Sequence, residues 1–286
     1  MYEKLKDFYL NFENKIDKIL IKTIGKDKEK YNFLRLLREI RKGILYGKIE
    51  EIPHIMLSLT CNLRCPYCAN GKYYDKSNMG YKEKSRDYWI QRINKMKSKA
   101  IVFTGGEPTI FKDFLGVINN IKQKSIIIYS NLSIKNFEEK IKHLRKKCSW
   151  LLTYHPGGRA DLSLVLKNIA LLRKYKQTFR LTAVSADEFE DMYDSKSSNL
   201  LEEFNVKLFF KGFLGEQNLS QRKVECRIPS ILYAPDGNRY HCMYSVLKKK
   251  SEYIINHGNV ESIMICDKYG ECSPCNTAKF KLKFLD

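Results

Sequence analysis

The run His54-Ile55-Met56-Leu57-Ser58-Leu59-Thr60 passes directly into Cys61-Asn62-Leu63-Arg64-Cys65-Pro66-Tyr67-Cys68. The first part is short and apolar and predicts a strand over 54–60. The second places three thiols on one short loop at the C-terminal end of that strand, where α/β folds keep their working loops. The N-terminus is charged from Glu3 onward and no apolar run approaches the ~20 residues that span a bilayer, so a cytoplasmic location and no membrane partner are expected. In such a compartment thiols stay reduced, and nine cysteines are read as metal ligands before disulfides.

Outward from the cysteine loop, short β-rich runs alternate with amphipathic stretches. Strands are expected at 54–60, 100–104, 125–130, 150–154, 179–185 and 206–210, with helices near 84–97, 111–122, 136–147, 161–175 and 187–203. Repeated βα units of this kind predict an α/β fold, a partial (β/α)6 TIM-type barrel over 51–215. Upstream, Leu5, Phe8, Phe12, Ile16, Ile19, Leu20 and Ile24, then Leu34, Leu37, Ile40 and Ile44, recur at helical spacing, so 1–50 is expected to be an N-terminal helical extension. Downstream, 216–286 loses helical periodicity and holds five of the nine cysteines, with Pro235-Asp236-Gly237 turning a hairpin. A small cysteine-rich domain is expected there.

Lys and Arg outnumber Asp and Glu 52 to 32, a formal charge of +20 that attracts anionic partners. A lysine-rich surface that only solvates the protein accounts for the same charge. Hydrophobic residues at 43% and charged residues at 29% exclude a disordered chain.

Three cysteines on one loop leave one iron of a four-iron cluster without a protein ligand. A zinc site with a distant fourth ligand is the alternative. The Cys-x3-Cys-x-aromatic-Cys pattern, with Tyr67 at the aromatic position, resembles the signature of the radical S-adenosylmethionine (radical SAM) superfamily. Thr104-Gly105-Gly106-Glu107-Pro108, at the end of the second expected strand, is similar to that family's GGEP motif. The resemblance implies a 4Fe-4S cluster on Cys61, Cys65 and Cys68. Its open iron would be chelated by the methionine amine and carboxylate of S-adenosylmethionine, which one electron splits into methionine and a 5'-deoxyadenosyl radical. It also implies cosubstrate contacts from Tyr67, Gly105, Gly106, Glu107 and Pro108. Glycines would allow the close approach. An external one-electron reductant such as flavodoxin or ferredoxin is implied as well.

Other strand-end residues are weaker candidates. Ser130, Asn131, Thr153 and Ser185 are placed for cosubstrate contact, although polar residues at strand ends also serve as caps and turn formers. His155 and Arg159, on the Gly157-Gly158 turn, are candidates for substrate binding, Arg159 through an anionic group.

In the tail, ten residues separate Cys226 from Gly237 and four separate Gly237 from Cys242, and Cys272 and Cys275 form a Cys-x2-Cys pair. This resembles the SPASM/twitch appendage of the same superfamily, in its short, one-cluster form. The resemblance implies a second, auxiliary 4Fe-4S cluster on Cys226, Cys242, Cys272 and Cys275. Cys266 is left over, or replaces one of the final pair. A zinc ribbon is the alternative for the tail alone. Cys148 reads first as a small buried hydrophobe. A sharper reading makes Cys148 or Cys266 a hydrogen-atom donor to a substrate radical.

The expected protein is a radical SAM oxidoreductase or maturase. It oxidises, epimerises or rearranges a small molecule that can carry an anionic group. A ribosomally made peptide is the alternative substrate. A basic nucleic-acid-binding protein with two structural zinc sites explains the charge and the cysteines but not Gly105 to Pro108, and a nucleic-acid partner is not expected.

Overall fold

The computed structural model describes residues 52–65, 68, 81–155, 160–185, 208–212, 222–228, 231–247, 262–269 and 281–285. The extension expected over 1–50 and the helix expected over 187–203 lie outside the described residues. In chain order the main sheet takes β1 (Pro53–Met56), β2 (Ala100–Thr104), β3 (Ser125–Ser130), β4 (Ser149–Tyr154), β5 (Thr178–Ser185) and β6 (Leu208–Gly212). The connecting helices are α1 (Arg86–Asn94), α2 (Phe114–Asn120), α3 (Phe137–Lys142) and α4 (Leu162–Lys174). These six strands pair in parallel, each with its sequence neighbour. The result is the expected α/β partial barrel.

The sheet does not stop at β1. Strand β8 (Ile231–Tyr233) pairs in parallel with the free side of β1, and β9 (Arg239–Tyr240) turns back antiparallel on β8. The full order is β6-β5-β4-β3-β2-β1-β8-β9. The Asp-Gly hairpin forms: Gly237 takes φ +80° and its N–H donates to the Ala234 carbonyl at 2.8 Å. The hairpin extends the barrel sheet because Leu232, Ala234 and Tyr240 pack with Met56, Leu59 and Tyr81 in a second apolar cluster. The Tyr81 hydroxyl donates to the Val246 carbonyl, in α5 (Met243–Leu247), and seals that cluster. A separate sheet sets β7 (Arg222–Ile228) between β10 (Ser262–Tyr269) and β11 (Lys281–Phe284), all antiparallel.

Strand alternation divides the main sheet into two faces. Ile101 and Phe103, Ile126 and Ile128, and Trp150 and Leu152 are buried on the helix side. There they meet Trp89 and Ile93 of α1, Val117 and Ile118 of α2, Phe137 of α3, and Val165, Ile169 and Leu172 of α4. The alternate residues line the inner face. The ladder aligns Met56 with Thr104, and Tyr129 with Leu151 and Arg180, in one row across it. Tyr129 keeps 40% of its surface exposed and Leu151 36%, so this inner face is open to a ligand.

Helix ends follow the sequence. Ser85 caps α1 by accepting from the Tyr88 N–H at 3.3 Å, and Asp161 caps α4 by accepting from the Ser163 N–H at 2.9 Å. The chain leaves α4 through Lys176, at φ +53°, with the Gln177 N–H donating to the Leu172 carbonyl at 2.9 Å.

Candidate active site

Beyond Met56 the chain leaves the ladder, yet it stays tied to the end of β2. The Gly106 N–H donates to the Ser58 carbonyl at 3.1 Å and the Glu107 N–H to the Thr60 carbonyl at 2.9 Å. These two bonds hold the root of the cysteine loop against the glycine motif. The fit is close enough to require glycine. A Cβ on Gly106 would stand 2.0 Å from the Thr60 carbonyl oxygen, and one on Gly105, at φ +117°, 2.5 Å from that of Ser58. The tight approach that requires glycine is therefore between two strand ends of this chain, a constraint separate from contact with a ligand.

Cys61 and Cys68 are half-buried and Cys65 is buried. The Cys68 N–H donates to the Cys65 carbonyl at 3.1 Å, which brings the backbones of those two cysteines together. Pro66 and Tyr67 lie outside the described residues. Burial pushes the Cys61 thiol up to about 11. The Leu63 N–H, donating to its sulfur at 3.4 Å, opposes that shift, and Glu107, Cys68 and Cys65 reinforce it. Among the described residues no three His, Cys, Asp or Glu side chains converge on a single ion. A cubane takes one thiolate per iron, so its ligands need not meet at one point. Three soft thiols on one loop, mutually repelling when ionised, fit such a cluster, and ligation would relieve the repulsion.

Glu107 does not point outward. It is 1% exposed, and its carboxylate accepts four hydrogen bonds. Three reach one oxygen, from the Thr109 hydroxyl (2.6 Å), the Thr109 N–H (3.2 Å) and the Ser130 hydroxyl (3.0 Å), and the Asn131 N–H reaches the other (2.8 Å). Burial nonetheless raises its carboxyl above the ordinary range. The side chain fastens the end of β2 to the end of β3. Pro108 is buried and opens a short 3-10 turn, Pro108–Ile110.

The structure brings Ser130 and Asn131 into this network, with Asn131 also reaching Asn62 at 3.0 Å. Thr153 lies one strand further on, at the end of β4, its hydroxyl 3.5 Å from that of Thr182. His155 is half-buried just beyond β4, and its carbonyl accepts from the Ala160 N–H at 3.2 Å. Ser185 closes β5, in register with Gly212. Arg159, Cys272 and Cys275 lie outside the described residues. Cys148 sits at the start of β4, the end opposite the cysteine loop, inside the core, and burial pushes its thiol up to about 12. Cys226 is buried on β7, and Cys266 on β10 lies two residues beyond the partner of Cys226, so both share one face of that sheet. Cys242 lies at the start of α5, its sulfur 3.2 Å from the Ser245 hydroxyl.

Two residues escaped the sequence reading. Asn62 stands inside the quoted motif but is neither cysteine nor aromatic. Asn168 lies on the apolar face of α4, buried, donating to the carbonyls of both Leu132 and Ile134 at 2.9 Å. A polar residue among Val165, Leu166, Ile169 and Leu172 was the available signal.

Residues 55–192 match the family model of the Radical SAM superfamily. That stretch, just under half of the chain, is a radical SAM domain. The radical SAM domain thus begins on β1 and takes in the cysteine loop, the glycine motif and the strand ends just described. Over 93 residues the chain is 31% identical to the PqqA peptide cyclase of Bradyrhizobium diazoefficiens, covering 32% of this chain and 22% of that protein. Over 100 residues it is 32% identical to the probable GTP 3',8-cyclase of Methanocaldococcus jannaschii, covering 32% of this chain and 33% of that protein. The chain thus matches about a fifth to a third of the length of these curated relatives. Among solved structures, hexahistidine-tagged anSMEcpe with bound AdoMet superposes at a TM-score of 0.52 and 18% identity, over 73% of this chain and 77% of that one. Native anSMEcpe with bound AdoMet and Kp18Cys peptide gives 0.50 and 17%, over 73% and 78%. Both are likenesses of fold. Among the described residues no helix is long and apolar enough to cross a membrane.

Proposed function

We propose that the chain cleaves S-adenosylmethionine reductively and uses the resulting 5'-deoxyadenosyl radical to abstract hydrogen from a substrate lodged on the inner face of the sheet. One observation carries the reading: the three-cysteine loop is hydrogen-bonded at its root to the Gly105-Gly106-Glu107 strand end, so both family motifs form one constellation. Cys61, Cys65 and Cys68 would hold the 4Fe-4S cluster, which when bound supplies the electron. Gly105, Gly106 and Pro108 shape the adjoining backbone, and Thr153, Ser185 and Tyr67 are the proposed side-chain contacts to the cosubstrate. His155 and Arg159 would meet the substrate.

An auxiliary 4Fe-4S cluster on Cys226, Cys242, Cys272 and Cys275 belongs to the same proposal, with Cys266 on the same sheet face as Cys226 and able to replace one of them. A flavodoxin- or ferredoxin-like donor would supply electrons, and the cytoplasm would keep the thiols reduced. The first substrate reading is a small anionic molecule, supported by the excess of basic residues, by Arg180 on the inner face and by the likeness to GTP 3',8-cyclases. A peptide is the second, supported by the likeness to PqqA peptide cyclase and by the exposed Tyr129 and Leu151. Oxidation, epimerisation and rearrangement are the outcomes the chemistry allows.

The test uses reconstituted enzyme, reductant and S-adenosylmethionine with size-fractionated extract of cells grown in heavy water. Deuterium entering 5'-deoxyadenosine from the low-mass fraction supports the first substrate, and label from the peptide fraction alone supports the second. Label from neither overturns hydrogen abstraction.

A further inference from the structure

Asn131 stands at the end of β3, where a contact to the cosubstrate is expected, but its side chain is occupied elsewhere. Its amide oxygen accepts from the Ser133 N–H at 2.8 Å, which fixes the orientation of the amide group. Its nitrogen then has two hydrogens to place. One goes to the Asn62 side-chain oxygen at 3.0 Å and the other to the Cys61 sulfur at 3.6 Å. The Asn62 nitrogen returns a bond to the Ser133 carbonyl at 2.6 Å. Two asparagines from distant parts of the chain therefore clasp the cysteine loop to the turn after β3. No hydrogen of the Asn131 amide remains for a ligand.

The turn is built to hold this position. Asn131 is 7% exposed, and its own N–H is held by the buried Glu107 carboxylate. Leu132, which follows, has a left-handed backbone at φ +54°, a conformation a leucine keeps only when its surroundings impose it. The Ser130 hydroxyl accepts from the Leu132 N–H at 2.9 Å, and Asn168 binds the Leu132 and Ile134 carbonyls. These bonds commit the turn to presenting the Asn131 amide to the loop.

We propose that Asn131, braced by Asn62, is a positioning residue for the cluster: it fixes Cys61 and, through its N–H···S bond, raises the reduction potential of the cluster that this thiolate ligates. The proposal rests on the radical SAM reading above. A donor aimed at a ligand sulfur stabilises the extra negative charge of the reduced cluster, and hydrogen bonds to cluster sulfurs are among the determinants of potential. The Leu63 N–H already serves the same sulfur, so Cys61 receives two such bonds, one from its own loop and one from Asn131.

The full-length chain, its Asn131→Ala and Asn131→Asp variants, and Asn62→Ala are reconstituted anaerobically with iron and sulfide. Each is titrated redoxically on the reduced-cluster resonance that changes shape when S-adenosylmethionine is added. Asn131→Ala is expected to lower the ratio of reduced to oxidised cluster at a fixed poise about tenfold, a downward shift of about 59 mV for one electron. Asn131→Asp should lower it further, while S-adenosylmethionine binds each reconstituted variant as tightly as wild type. Unchanged ratios with weakened S-adenosylmethionine binding would overturn the proposal and make Asn131 a cosubstrate contact. The clasp is also tested without any cluster. In the apo protein, alkylation of Cys61 by iodoacetamide, resolved by peptide mass, should run severalfold faster in Asn62→Ala, a change at an exposed position that spares the core. An unchanged rate would remove the clasp. Failure of the wild-type chain to take up iron and sulfide would instead overturn the reading beneath it.

Discussion

Replacing Gly106 with alanine adds one methyl group where the glycine backbone already abuts the backbone of Leu59 and Thr60. The new Cβ would lie 2.0 Å from the Thr60 carbonyl oxygen and 2.5 Å from that of Leu59, where real Cβ atoms essentially never come within 3.0 Å. All the atoms it meets are backbone, so no rotamer change relieves the contact. The chain at Leu59 and Thr60 must move by about an ångström, which takes the bonds from Gly106 to Ser58 and from Glu107 to Thr60 out of alignment. Overpacking of this kind costs roughly 1–3 kcal/mol, and each weakened hydrogen bond adds about 1 kcal/mol. The sum, roughly 3–5 kcal/mol, corresponds to a melting temperature about 6–20 °C lower for a domain of this size. Cys61 follows Thr60 directly, so cluster loading should fall as well. Gly116→Ala is the matched control: its Cβ meets the Arg86 side chain, nearest at Cδ, 2.6 Å away, and that exposed, flexible side chain, paired with the neighbouring Asp87, can shift where backbone cannot, while alanine favours helix α2. Thermal melts of the apo proteins and iron and sulfide per chain after reconstitution measure both effects. Wild-type melting and loading in Gly106→Ala, or equal damage from Gly116→Ala, would refute this account of the junction.

Three further outcomes are expected. Because burial raises the Glu107 carboxyl, the native state holds more protons than the unfolded chain between the ordinary carboxylate value and its own, so stability should fall as pH rises through that window. Glu107→Gln should flatten that slope in urea melts taken across the pH range. Cys148→Ala should cost on the order of 1 kcal/mol, for one buried atom and a small cavity, and leave deuterium incorporation from heavy water into product as in wild type. Lys176→Gly should raise the melting temperature by about 1–3 °C, because glycine adopts the left-handed conformation at the end of α4 without the strain of a side chain.

What the sequence revealed depended on how local the determinant was. Strands β2 and β3 match their expected bounds to the residue, because alternating β-branched and aromatic positions report burial on one face. The strand expected over 54–60 ends at Met56, since beyond it the partner is the irregular end of β2. The Asp236-Gly237 turn was legible from two residues. Its attachment to β1 was not, because that pairing rests on Tyr81 and Tyr240, far apart in the chain, sharing one apolar cluster. The site divides in the same way. Cys61, Cys65, Cys68 and Glu107 are visible as residue types at fixed spacing, but spacing does not disclose a rotamer. The inward turn of Glu107 toward Ser130 and the bond from Asn131 to Cys61 depend on how two strand ends meet in space.

The central claim is tested by a single anaerobic assay: reconstituted protein, dithionite and S-adenosylmethionine, with 5'-deoxyadenosine and methionine measured over time. The wild-type chain should form both in equal amounts, and Cys61→Ala, Cys65→Ala or Cys68→Ala should each abolish the product. A fully loaded wild-type protein that leaves S-adenosylmethionine intact, or cysteine variants that cleave it as well as wild type, would contradict the account.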